Sequence, residues 1–81
     1  MDFIKSLQKC QYEKHMTNDT FAHYVGKSRA WLQRIYSKNP EIKKSTLTGL
    51  TMYTLNEKLG IPMEIMEAYN ESVLNTREEN E

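Results

Sequence analysis

Residues 18–37, NDTFAHYVGKSRAWLQRIYS, decide how this chain folds. Phe21, Ala22 and Val25 mark one side of a short helical pattern over 18–24. Thr17, just before it, can offer its hydroxyl to an orphan amide of the first turn. Gly26 stops that helix, because a residue without a side chain accepts the left-handed backbone that ends many helices. Ser28 caps the next helix after a link of about three residues, so two short helices must cross at a steep angle. Leu32 and Ile35 join Val25 in the wedge between them, and Ala22 is small where one helix passes over the other. Arg29, Ala30, Gln33, Arg34 and Ser37 fall on the opposite side, which is polar and basic.

Working outward, Phe3, Leu7 and Cys10 form a narrow apolar stripe along a helix predicted over 2–14. Downstream, the Asn39-Pro40 pair interrupts the chain in a loop over 38–44, and the third helix should stop by Lys38. Ser45 is expected to cap a helix reaching Leu59, with Leu47, Leu50 or Thr51, Met52, Leu55 and Leu59 as its apolar positions and Gly60 as its stop. Pro62 suits the first turn of a last helix, where Ile61 and Ile65 or Met66 pack and Tyr69 and Val73 continue the row. The sequence therefore predicts one all-α domain of four to five helices over 1–75, followed by a polar, acidic, disordered tail over 76–81. No alternating β-branched run with turn pairs suggests a hairpin.

Composition narrows the function. Eighty-one residues leave no room for a second lobe or a large enzyme cleft, and 38% hydrophobic content disfavours wholesale disorder. No run is long and apolar enough to span a membrane, and the N-terminus lacks a signal-peptide pattern, so the expected location is the cytoplasm. Cys10, the single cysteine, has no partner for an internal disulfide and suits a reducing compartment. Eleven basic and eleven acidic residues cancel, but the cancellation hides a polarity. Up to Lys44 nine basic residues face four acidic ones, a balance of plus five, and the rest of the chain carries minus five. Such asymmetry points to an anionic partner for one end.

Two helices of this kind form a helix-turn-helix: the first crosses a DNA backbone while the second enters a major groove wide enough for one helix. The sequence here resembles the Cro and phage-repressor type of helix-turn-helix family, also called the xenobiotic-response-element type. Phe3, Leu7 and Cys10 fall at its first-helix core; Met16-Thr17-Asn18 is similar to its Leu-Thr-Gln entry; Phe21-Ala22, Val25-Gly26, Ser28 and Ile35 match the motif; and Leu59-Gly60-Ile61 resembles its Leu-Gly-Val ending. The resemblance implies a compact lambda-repressor-like domain. It also implies sequence-specific DNA binding in transcriptional control, as by a dimeric repressor of a phage or mobile element, with no enzymatic activity and no cofactor.

Carried over by position, Ser28, Arg29, Ala30, Gln33 and Arg34 correspond to side chains that meet base edges, and Asn18 to an amide that contacts a phosphate. The chemistry fits: Arg pairs with guanine, Gln with adenine, and Ala30 can touch a thymine methyl. Lys27, Ser37, Lys38, Lys43 and Lys44 flank that helix and would serve phosphates. The sequence departs from the family pattern at Gly49, at Tyr36 in place of a Glu, and at Asn56 in place of an Ala; Asn56 implies either a buried amide with a partner or a rotated fourth helix.

Other readings of the same residues are weaker. His15, His23 and Cys10 do not share the spacing that puts metal ligands on one helix face, so no metal is expected. A buried Cys10 would be inert as a nucleophile. Trp31 lies between the buried and outward rows, where an aromatic usually packs, and Tyr36 could reach a phosphate or be satisfied internally. The last helix has more apolar side chains than one face needs, which nominates Met63, Met66, Tyr69 and Val73 as a homodimer interface. The rival to DNA binding is a helix-turn-helix module that binds another protein, as an antirepressor or inhibitor. Neutral overall charge favours that rival, and the cationic run between Lys27 and Lys44 favours DNA.

Overall fold

A side-chain oxygen at the right place starts four of the helices. In the computed structural model, which describes residues 2–79, Asp2 accepts from the Lys5 amide at 2.8 Å to begin α1 (Phe3–Glu13). Thr17 accepts from Thr20 to begin α2 (Asn18–Tyr24), and Ser28 from Trp31 to begin α3 (Arg29–Tyr36). Both caps were expected. Thr48, not Ser45, begins α4 (Gly49–Leu59) by accepting from the Thr51 amide at 3.2 Å. The helix starts late because Leu47 is held elsewhere: its N–H donates to Asn70 Oδ1 at 2.6 Å and its carbonyl accepts from Asn70 Nδ2 at 3.0 Å. An amide that trades both its ends with one residue's backbone imitates a neighbouring strand, which is incompatible with helical pairing there.

The helix ends are equally local. Gly26, at φ +76°, closes α2 with its own N–H bonded to the His23 carbonyl and the Lys27 N–H to the Ala22 carbonyl. That bond pair defines the Schellman ending, which needs a left-handed residue. α1 ends in the same pattern, His15 to Tyr12 and Met16 to Gln11, but with His15 itself at φ +54°. Gly60, at φ +71°, ends α4, and Asn56 Nδ2 donates to the Ile61 carbonyl just beyond it. Asn56 is thus an exposed clamp on the interhelical turn, neither of the two situations expected of it.

α5 (Met63–Glu79) runs past Asn75, where the last helix was expected to give way to the tail. Asn80 and Glu81, the end of that acidic tail, lie outside the described residues. Phe3, Leu7, Phe21, Leu32, Ile35, Leu55 and Met66 are the largest side chains fully enclosed in the core. Phe3 from α1 packs on Tyr69 of α5 with ring centroids 4.8 Å apart. The radius of gyration is 12.4 Å, close to the ~12 Å typical of this length. The described residues form a compact all-helical fold of five helices.

This packing overturns the interface expected on the last helix. Met66 is wholly buried, and Tyr69 and Val73 are 9% and 8% exposed, all within their own chain's core. The apolar surplus of α5 exists because α1 and α4 lie against it. Met63 alone of that expected set is exposed, at 38%.

Candidate nucleic-acid interface

α3 is amphipathic along its short length. Leu32 and Ile35 are buried and Trp31 and Tyr36 half-buried, while Ser28, Arg29, Ala30, Gln33 and Arg34 are all exposed. Residues 29, 30, 33 and 34 recur at one-turn spacing and share the outward side. The five side chains expected at base edges therefore come together on one accessible surface. Two carry prior engagements. Ser28 Oγ accepts from Trp31, so its O–H donor remains for a ligand. Arg29 Nε stands 3.5 Å from Asp19 Oδ1 across the turn, with both side chains more than half exposed. An ion pair so open to solvent is worth at most ~1 kcal/mol and yields readily to a phosphate or a base.

The expected phosphate contacts divide. Lys38 and Lys43 are exposed, and Lys27 lies half-buried with its ammonium 5.6 Å from the centre of the Trp31 ring. Trp31 thus packs inward and braces a cation, the packing role expected of it. Ser37 Oγ accepts from the Asn39 amide and shapes the start of the loop. Lys44 has a different task from the one assigned to it: its ammonium donates to the carbonyls of Ile35 at 3.0 Å and Ser37 at 2.5 Å, at the C-terminal end of α3. Helix C-termini gather uncapped carbonyls and partial negative charge, which attract a cation that sequence alone would credit to DNA.

Asn18 is held by a residue that the sequence reading passed over. Gln11 Nε2 donates to Asn18 Oδ1 at 2.8 Å and to the Met16 carbonyl at 3.1 Å, while the Tyr36 hydroxyl donates to Gln11 Oε1 at 2.8 Å. Gln11 follows Phe3 and Leu7 at four-residue intervals, and a polar residue continuing an apolar stripe is the signal that could have revealed it. Burial, with a smaller contribution from nearby Cys10, pushes the Tyr36 hydroxyl well above its usual range, so it stays a donor. Lys58, also unremarked in the sequence, donates to the Tyr24 carbonyl at 2.7 Å and closes the C-terminus of α2.

The rest of the surface offers different chemistry. Cys10 is half-buried with its thiol 3.8 Å from the Leu59 carbonyl; burial and then Glu13 push its pKa up, against weaker opposing effects from Lys14 and Lys9. Such a thiol is a poor nucleophile near neutral pH. Among the described residues, no three His, Cys, Asp or Glu side chains converge as metal ligands. A groove of about 1180 Å³ opens between loop 37–44, the start of α1 and α5; Ile4, Ile42, Ile65 and Val73 contribute apolar walls, and no His or Cys lines it. No described helix is long and apolar enough to cross a membrane. No protein-family profile, curated protein or solved structure matches the chain.

Proposed function

We propose that α2, the turn at Gly26 and α3 act as a lambda-repressor-like helix-turn-helix, and that the chain is a sequence-specific DNA-binding regulator of transcription, a repressor of the phage type. The observation that carries this reading is the common exposure of Ser28, Arg29, Ala30, Gln33 and Arg34 on α3, beside Lys27, Lys38 and Lys43. Arg and Gln present the paired donors and acceptors that distinguish guanine and adenine in a major groove, and the lysines supply charge for phosphates. Asp19 beside Arg29 supports this reading, because its carboxylate partly neutralises the guanidinium and a base edge must compete with it, which lowers the attraction of Arg29 for a phosphate of any sequence.

A homodimer belongs to the proposal, since two half-sites double a short footprint. With Met66, Tyr69 and Val73 enclosed, its surface must use apolar side chains that remain exposed. Leu50 and Tyr53, 77% and 61% exposed and one turn apart on α4, meet that condition. The same pair is what favours the second reading, a module that docks on another protein.

Selection of the purified chain on a random-sequence duplex pool at two salt concentrations tests the first reading. One enriched motif, arranged as an inverted repeat, is the expected result, with Arg29→Ala weakening that motif by ~1–3 kcal/mol and relaxing one base position. Absence of enrichment, with Arg29→Ala changing nothing and Leu50→Glu abolishing capture of a protein partner, would overturn it.

A further inference from the structure

Gln11 is half-buried where α1, α2 and α3 meet, and its amide has an accepting end and a donating end. The neighbours fix which is which. The Met16 carbonyl can only accept, so the end 3.1 Å from it must be Nε2. Oε1 then faces Tyr36, whose hydroxyl supplies the proton at 2.8 Å. The same Nε2 stands 2.8 Å from the Asn18 side chain, and two donors would repel at that distance, so the atom facing Gln11 is Asn18 Oδ1. Asn18 Nδ2 and its two N–H groups are thereby turned away from Gln11 at the first residue of α2.

We infer that Gln11 is a positioning residue that fixes the sense of the Asn18 amide, so that Asn18 presents donors, not its carbonyl, to an anionic DNA backbone. The inference rests on the DNA-binding reading above. A phosphate oxygen only accepts, so an Asn18 free to turn over would present its repulsive end part of the time. The relay begins on α3 at Tyr36, which links the phosphate-facing amide to the end of the base-reading helix. Tyr36 takes the place of an acidic residue common in the resembled family, and a hydroxyl there can donate where a carboxylate cannot.

The test measures binding of the full chain to a mixed-sequence DNA duplex at low salt, for wild type, Gln11→Met, Asn18→Ala and the double variant. Each single change should weaken binding about threefold to tenfold, the loss of one hydrogen bond, and the double variant should be no weaker than Asn18→Ala. Tyr36→Phe removes a single hydroxyl and carries the test if Gln11→Met fails to fold; its smaller loss should also vanish in the Asn18→Ala background. NMR of the DNA-free protein should show the Asn18 side-chain amide signals shifting in Tyr36→Phe, where no direct partner of Asn18 has been removed, which a merely structural role of Tyr36 would not require. Losses that add to that of Asn18→Ala, or unchanged binding in both Gln11→Met and Tyr36→Phe, would overturn the inference while leaving DNA binding intact. A wild-type chain that binds no duplex would overturn the DNA reading and this inference with it.

Discussion

Lys43 and Lys44 are adjacent, chemically identical and assigned opposite work by the fold, which makes replacing each with Met a discriminating experiment. Lys44 reaches the carbonyls of Ile35 and Ser37 from a half-buried position, and a third, that of Arg34, lies 3.5 Å away. A cation at a helix C-terminus contributes ~0.3–1 kcal/mol when exposed and up to ~2 kcal/mol when partly buried. Water can still reach part of this site, so Lys44→Met should cost about 1–2 kcal/mol. For a domain of this size that lowers Tm by roughly 5–15 °C. Lys43, exposed, should leave stability within ~0.5 kcal/mol when replaced. Titrations with DNA at several salt concentrations should reverse the ranking. Lys43→Met loses one phosphate contact and lowers the slope of log K against log salt by about 0.9, whereas Lys44→Met leaves the slope alone. Thermal melts and fluorescence anisotropy suffice for both arms. If Lys44→Met melts within about 2 °C of wild type and flattens the salt slope as Lys43→Met does, the capping assignment is wrong.

Two glycines should respond to alanine with opposite signs. A Cβ meets nothing within 4 Å at Gly26 or at Gly49, so only the backbone decides: Gly26→Ala, at φ +76°, should cost ~1–2 kcal/mol, and Gly49→Ala, in the first turn of α4, should gain up to ~0.5–1 kcal/mol in urea denaturation. Asn70→Ala strands the Leu47 N–H and carbonyl and should cost about 2–3 kcal/mol; Asn70→Asp, able to accept but not to donate, should fall between Ala and wild type. Tyr36 holds its proton to higher pH in the folded chain than in the unfolded one, so above the ordinary tyrosine value of 10.0 the unfolded state releases its proton first. Stability should therefore fall as pH rises beyond about 10, by a component that is missing in Tyr36→Phe when unfolding free energies are followed against pH.

What the sequence disclosed was what neighbouring residues decide. Thr17, Ser28, Gly26 and Gly60 act within a turn of themselves, and each does in the fold what its type suggests. The buried stripe of Leu32 and Ile35 and the outward row from Arg29 to Arg34 follow from helical spacing alone. Ser45 misled because it is as good a cap as Thr48; the choice was made by Asn70, 23 residues beyond Leu47. Met66, Tyr69 and Val73 misled for a related reason, since a count of apolar side chains on one helix cannot say how much of the core the first helix will demand. Phe3 against Tyr69 supplies that demand. His15 in a left-handed ending was equally hidden: histidine enters that region more often than most non-glycine residues, but rarely enough that its presence gives no sign of a helix stop.

The lysines show most clearly how charge in a sequence differs from charge on a surface. The positive half of the chain suggested a cationic face, yet Lys44 turns back to the end of α3, and Lys58, from the negative half, closes α2 at Tyr24. Each helix of the proposed DNA-reading pair is thus met at its C-terminus by a lysine from outside it, Lys44 from the loop that follows α3 and Lys58 from α4. Such a cap ties the helix to a loop or to α4, so it steadies the orientation of the pair as well as its ends. A cation given to this task is withdrawn from phosphate binding, and what remains beside the outward row is Lys27, Lys38 and Lys43, with Asp19 opposing Arg29. On the proposed DNA reading, two exposed lysines and the half-buried Lys27 support weak contact with any duplex and leave discrimination to Arg29, Gln33 and Arg34. In this chain Lys44, Lys58 and the relay from Tyr36 through Gln11 to Asn18 tie α2 and α3 to their surroundings, and none of them is at a position proposed to read bases.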